Sequence, residues 1–265
     1  MKKFLIPNSD LKVSRIGLGG LHFGSLIKPN ESRIIINKSL DRGINFIETA
    51  SMYGSNKSPK IIGQSIKKKR SRIILSYKIG LEPIFKNNLF KCKIAKLDKN
   101  YILQKFNEGL FFLKTDWIDI LQIHGFDKKT NIFEMLDTIS YLIQIGKVRY
   151  FGFSNIDKKQ LELVYKSKHP ILKKLISIQL QFNIIERKAE KFFFNICKKK
   201  KLSIFFNQVF AKGILLNKYK NTKKFPKKTR AFSSIALRNN ITQKVLKLTN
   251  DLEELSTSLK QEINQ

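Results

Sequence analysis

The chain has 265 residues, enough for one large α/β domain with a substantial core. Its 52 Lys and Arg against 20 Asp and Glu leave a formal charge of +32, which favours anionic ligands, but lysine is spread through nearly every segment and a nucleic-acid partner is not expected. Two cysteines without motif spacing exclude a disulfide scaffold and a cysteine zinc centre, no run reaches the roughly 18 apolar residues of a membrane span, and a cytoplasmic protein without metal or membrane partner is expected.

In chain order, Ser14 to Gly20 reads as a strand entering a glycine-rich bend, GLGGLHFG, where backbone can approach a ligand closely. Residues 31–42 have helical periodicity and stop at Gly43. Ile44 to Glu48 is a strand, and a helix follows from about Pro59. Arg72 to Lys78 is the next strand, Lys99 to Leu113 a helix, and Trp117 to His124 a strand. Ile132 to Ile145 is a helix ended by Gly146, Val148 to Phe153 a strand closing on Ser154-Asn155, and Asp157 to Tyr165 a helix with an acid in its first turn. Strands from Ile176 to Phe182 and from Leu202 to Phe206 flank a Lys191 to Lys199 helix.

Strands alternating with helices of this length call for parallel pairing through right-handed crossovers. The expected fold is α/β, a TIM-type (β/α)8 barrel that is incomplete or atypically closed after strand seven. No linker divides the series, so residues 1–265 read as one domain, with a Lys-rich exposed loop at 217–230 and a terminal amphipathic helix at 241–259. Ala231 to Leu237 is the one candidate for an eighth strand. The segment Leu81 to Asp98, with Phe85, Phe90 and several lysines, reads as a loop suited to a substrate with an apolar body.

In such barrels chemistry sits at the C-terminal strand ends, because those loops share one face. Glu48 ends strand two with Tyr53 just beyond it, Lys78 ends strand three, His124 strand four, Ser154 and Asn155 strand five, and Gln179 lies in strand six. A tyrosine near a lysine is a proton donor in outline: the cation stabilises phenolate and lowers the phenol toward neutrality, Glu48 holds the ammonium, and His124 donates to a substrate oxygen or relays the proton. Such a set has no electron source, so reduction requires a cofactor. Taken singly, each residue also fits a structural role, as core edge, surface lysine, helix cap or buried hydrogen-bond partner.

The motifs LKVSRIGLGGLHFG, GINFIETASMYG, SYKIG, DWIDILQIHGFD, GKVRYFGFSN, QLQFNIIER and AKGILLNKY occur in this order over about four-fifths of the chain, and together they resemble the aldo-keto reductases. The resemblance implies NADP(H)-dependent interconversion of a small-molecule carbonyl and an alcohol, with NAD left open as the nicotinamide cofactor. It implies Tyr53 as proton donor, Lys78 and Glu48 as its tuning pair and His124 as the group that orients the carbonyl. Ser154, Asn155 and Gln179 match residues that hold the nicotinamide amide, and Gly19 and Gly20 a loop beside that ring.

Three departures stand out. Glu48 occupies the family's aspartate position, with one extra methylene. Asn207, in NQVFAKG, falls where a residue packs on the nicotinamide face. After residue 219 the chain is shorter than the family pattern, leaving a barrel edge to be covered by the terminal helix, an altered closure or self-association. These departures carry the alternative function, a catalytically weak or inactive barrel with a regulatory, binding or structural role.

Overall fold

The strands around the site are short runs rich in β-branched and aromatic residues, apolar on both faces as parallel strands covered by helices must be. The computed structural model describes residues 1–86, 89–216, 218–219, 225–226 and 229–262. The elements run β1 (Lys3–Leu5), β2 (Lys12–Ser14), β3 (Leu18–Gly19), α1 (Pro29–Asp41), β4 (Phe46–Ala50), α2 (Lys57–Ile66), β5 (Ile74–Ile79), β6 (Leu81–Lys86), β7 (Leu89–Ile94) and α3 (Lys99–Leu113). Then follow β8 (Ile118–Ile123), α4 (Ile132–Gln144), β9 (Val148–Ser154), α5 (Lys158–Lys166), β10 (Leu175–Gln181), α6 (Lys188–Lys200), β11 (Ser203–Asn207), α7 (Arg230–Ser233), α8 (Ile235–Arg238) and α9 (Gln243–Ser258).

Seven strands form one parallel sheet in the order β11-β10-β9-β8-β5-β4-β3, curled through 258° of a full 360°. This is the incompletely closed barrel expected from the alternation of elements. The chain divides into two compact units, residues 1–179 with 195–205, and residues 180–194 with 206–265.

In the first unit the strand expected from Ser14 to Gly20 is split. Lys12–Ser14 pairs antiparallel with Lys3–Leu5, and only Leu18–Gly19 joins the parallel sheet. The break follows from Ser14, whose hydroxyl donates to the Ile16 carbonyl at 2.7 Å while its N–H donates to Asn45 Oδ1 at 2.7 Å. This amino-terminal hairpin buries Ile6, Leu11 and Val13 in one cluster with Phe46, Ile120, Tyr150 and Ile176, so it plugs the end of the sheet where the strands begin. Beside the plug, Asp119 is 1% exposed. It meets Arg70 at 2.8 Å and Arg149 at 2.7 Å, and also accepts the Leu75 N–H at 3.0 Å. Arg149 continues to Asp10, which accepts from the Tyr150 hydroxyl at 2.9 Å. Trp117, expected at this end rather than at the chemistry, lies under the Arg70 guanidinium, 4.3 Å from its ring centroid.

Helices close over the outer face at short range. A Cβ on Gly63 would meet the Leu113 backbone at 2.5 Å, so α2 and α3 approach as closely as a glycine permits. Asp98 and Asp157 cap α3 and α5 by accepting the N–H groups of Tyr101 and Gln160. The segment Leu81 to Asp98 is not a plain loop: it carries the antiparallel hairpin β6–β7, with Leu81 opposite Ile94 and Pro83 opposite Cys92. The side chains of Phe85 and Phe90 lie outside the described residues.

The second unit has its own core, in which Ala211, Ile214, Leu215, Tyr219, Ala231, Leu237 and Ile241 cluster beneath Val245, Leu248 and Leu252 of α9. Leu255 and Leu259, spaced to extend that stripe, are 54% and 58% exposed. Ala231 to Leu237, the one candidate for an eighth strand, falls in the helical pair α7 and α8. The Arg238 guanidinium takes up the carbonyls of Ala231 and Phe232, and Ser234 Oγ accepts the Leu237 N–H, so these groups are satisfied without a ladder. Much of the Lys-rich 217–230 segment lies outside the described residues. Among the described residues no helix is long and apolar enough to cross a membrane, and no group of His, Cys, Asp and Glu is arranged to hold a metal.

Candidate active site

Parallel pairing fixes which strand ends coincide. Glu48 stands level with Ser76 and Gly19, Ala50 with Lys78, Lys78 with Gln122, and Ser154 with Gln179. Period-2 alternation then brings Glu48, Lys78 and Gln179 together in the buried interior.

Lys78, 1% exposed, places its ammonium 3.0 Å from Glu48 Oε2. The extra methylene of glutamate therefore does not prevent the ion pair. The same Nζ donates to Gln179 Oε1 at 2.8 Å, Gln179 Nε2 donates to Glu48 Oε2 at 3.0 Å, and Ser154 Oγ donates to Gln179 Oε1 at 3.1 Å. Four residues from four strands thus form one closed polar cluster.

Tyr53 hangs over this cluster from the turn after β4. That turn is tight, with positive φ at Gly54, Ser55 and Asn56, and it is pinned where Tyr53 N–H donates to the Ala50 carbonyl and Ser58 N–H to the Tyr53 carbonyl. The Lys78 ammonium lies 5.1 Å from the Tyr53 ring centroid, and the His124 ring meets it edge-on at 5.8 Å between centroids. Ala50, Met52 and Tyr53 pack together with Leu81 of the β6 strand against them, so the hairpin roots beside the tyrosine.

Burial of the Tyr53 phenol, reinforced by the negative charge of Glu48, pushes its pKa well above the ordinary 10.0. The expected downward pull from Lys78 is overturned. The ammonium is engaged by Glu48 and Gln179, and the carboxylate that neutralises it acts on the phenol with the opposite sign. Burial also lowers Lys78 from its ordinary value against the counteracting charge of Glu48. His124 is driven well below 6.5 by burial and then by the nearby Lys78 charge, so the imidazole is neutral through the physiological range.

The remaining expected residues fall around this centre. Asn155, in the left-handed region at φ 59°, donates from Nδ2 to the His124 carbonyl at 3.1 Å and so braces the β8 and β9 ends together. Gly20 donates its N–H to the Glu48 carbonyl at 2.8 Å, and a Cβ there would meet Ser58 Oγ at 2.7 Å, so glycine is required by packing against α2. Gly19 has nothing within 4 Å of where a Cβ would stand, which leaves open space beside Glu48. Asn207 belongs to the second unit, where its Oδ1 is buried without a hydrogen bond.

Two interior polar residues escaped sequence reading. Gln122, level with Lys78, donates from Nε2 to Ser76 Oγ at 2.7 Å. The alternation Ile118, Ile120, Gln122, His124 places Gln122 on the interior face and is the signal that would have found it.

Residues 15–265 match the aldo/keto reductase family. The chain belongs to that family. Among its relatives, this aldo/keto reductase is 29% identical over 218 residues to the uncharacterized oxidoreductase YqkF of Bacillus subtilis, an alignment covering 82% of this chain and 68% of the relative. It is 31% identical over 220 residues to the aldo-keto reductase YhdN of the same organism, covering 80% of this chain and 63% of YhdN. The glycerol dehydrogenase of Gluconobacter oxydans superposes on the aldo/keto reductase fold described here with a TM-score of 0.82 at 26% identity, covering 99% of this chain and 80% of that one. The aldo/keto reductase chain therefore spans between about three-fifths and four-fifths of the length of these relatives.

The centre has room and valence for an added carboxamide-bearing group. His124 Nδ1 is a buried polar atom without a hydrogen bond, Gly19 opens beside Glu48, and Gln179 Nε2 retains one N–H beyond that given to Glu48. A nicotinamide cofactor fits this donor and acceptor set.

Proposed function

We propose that the protein reduces an aldehyde or ketone to the alcohol with NADP(H), Tyr53 acting as the proton donor. The observation that carries this reading is the buried Tyr53 phenol flanked by the Lys78 ammonium at 5.1 Å and the His124 ring at 5.8 Å, above a Glu48–Lys78 pair closed at 3.0 Å. NADP(H), when bound, supplies the hydride that reduces the carbonyl carbon. Ser154, Asn155 and the free N–H of Gln179 are the residues assigned to its carboxamide, with Gly19 and Gly20 beside the ring.

The chain's own residues divide the remaining work. A phenol held well above its ordinary pKa stays protonated at neutral pH, so Tyr53 is charged with a proton before carbonyl reduction begins. As the proton leaves for the developing alkoxide, the Lys78 cation beside the ring, already engaged by Glu48, offsets only part of the charge left on Tyr53. Neutral His124 hydrogen-bonds the carbonyl oxygen without competing as an acid. The Leu81 and Met52 side chains at the tyrosine give the substrate an apolar neighbour and favour a carbonyl with an apolar substituent.

A second reading, nucleotide binding without turnover, is favoured by one observation: the Lys78 ammonium is neutralised by Glu48, whose charge raises the phenol. Titration with NADPH and NADH followed by turnover of a generic aldehyde separates the two. Saturable binding with turnover that falls at least about 100-fold in Tyr53→Phe, at nearly unchanged cofactor affinity, is the expected result. Failure to bind either nucleotide at millimolar concentration would sink the reductase reading, and binding without turnover would move the assignment to the second.

A further inference from the structure

Gln179 does more in this cluster than offer an amide to a ligand. Its Oε1 accepts from both Lys78 Nζ at 2.8 Å and Ser154 Oγ at 3.1 Å, and its Nε2 donates to Glu48 Oε2 at 3.0 Å. Both oxygen lone pairs and one of the two N–H groups are therefore committed within the protein. Ser154 and Glu48 together fix which way the amide faces, because a flip would point N–H at the ammonium and oxygen at the carboxylate. The amide accepts from the cation and donates to its counter-ion at once; an aliphatic side chain supplies neither bond, and a second carboxylate would repel Glu48.

The contact also crosses the sheet. Lys78 lies on β5 and Gln179 on β10, separated in the ladder by β8 and β9, so the two long side chains meet through the interior rather than along neighbouring strands. Glutamate at position 48 can rotate about one more bond than aspartate. A donor on Oε2 removes that freedom and leaves the carboxylate pointing at the ammonium.

We propose that Gln179 is a positioning residue of the proton-donor site, its amide locking the Glu48 carboxylate against the Lys78 ammonium. The proposal rests on the reductase reading for its catalytic consequence, but the clamp itself exists in the cofactor-free protein. The other titratable groups around Lys78 are Glu48, Tyr53 and His124, and of these Glu48 is the one that Gln179 hydrogen-bonds.

The test is a pH titration of the Lys78 side-chain 13Cε resonance in cofactor-free protein, assigned by its loss in Lys78→Met. In Gln179→Met, which keeps the length and removes all three bonds, the Lys78 midpoint should fall by about one pH unit. In Gln179→Glu, which adds a negative charge beside the ammonium, it should rise, a sign reversal that a merely structural role would not produce. With NADPH and aldehyde, kcat of Gln179→Met should fall at least tenfold, by a larger factor than the cofactor Kd rises. Midpoints unchanged in both variants, or a Kd effect alone with an unmoved midpoint, would overturn the proposal. If Gln179→Met does not fold, a Lys78 midpoint that fails to rise in Gln179→Glu would overturn the contact on which the proposal stands. Absence of turnover in the parent protein would overturn the reductase reading and leave the midpoint comparison to decide this one.

Discussion

Replacing Glu48 by Gln removes the counter-charge of an ammonium that is 1% exposed, while leaving a side chain of the same shape. Two outcomes compete for the stranded lysine. If it keeps its proton, an uncompensated buried charge costs about 3–5 kcal/mol. If it gives the proton up, the cost is set by the distance from solution pH to its ordinary pKa of 10.5, at 1.36 kcal/mol per unit: about 5 kcal/mol at pH 7 and about 2 kcal/mol at pH 9. The cheaper outcome wins at each pH. Loss of stability should therefore be about 3–5 kcal/mol at pH 7 and shrink to about 2 kcal/mol at pH 9. The sign follows from proton counts: with a neutral Lys78 in the folded variant, the unfolded chain binds one more proton, so stability rises with pH. Urea unfolding at pH 6, 7, 8 and 9, followed by fluorescence of Trp117, the chain's one tryptophan, measures this directly. A loss below about 1 kcal/mol at pH 7, the value of an exposed pair, or a loss that does not shrink by pH 9, refutes the buried pairing.

His124 should remain neutral in the folded protein across pH 5 to 8, seen as a ring resonance that does not titrate there by NMR. Because its folded pKa is depressed, its contribution is constant above about pH 6.5 and is lost below it at up to about 1.4 kcal/mol per unit, measurable as falling urea midpoints. Asp119→Ala should cost about 3–5 kcal/mol by leaving the buried Arg70 charge without its counter-ion, while the NADPH affinity of the fraction that remains folded is unchanged. Gly63→Ala should cost about 1–3 kcal/mol in chemical denaturation, since the new methyl meets the Leu113 backbone, which cannot move aside as a flexible side chain would.

Much of the centre was legible because alternation and parallel pairing are both local rules with a common outcome. Once strands ending at Glu48, Lys78, His124 and Ser154 are read as parallel, their last inward residues must share one end of the sheet. The glutamate could be read as a workable partner for Lys78, and the 3.0 Å contact agrees. What alternation does not give is the stagger across the interior, so the bond from Lys78 to Gln179 was not foreseen. Nor does it tell which charge governs the phenol: naming a cation near Tyr53 predicted a lowered pKa, whereas burial and Glu48 raise it. The β6–β7 hairpin was hidden because Pro83 and repeated lysines obscure its alternation, although Pro is tolerated on such a peripheral two-stranded element. Ala231 to Leu237 misled in the opposite direction, as a short apolar run fits strand or helix until Arg238 is seen to take its carbonyls.

The plug and the Asp119 network stand at the starts of the strands, whereas Tyr53 and His124 stand just beyond strand ends and Lys78 in the last residues of its own strand. For evolution this is a separation of liabilities. Changes in the turns after the strands alter what reacts, while the ties that keep the strands in register are renewed elsewhere and pass through such changes untouched. A chain of this family can vary at the ends of its strands and still present the same scaffold, because the ties that hold the strands lie at their starts.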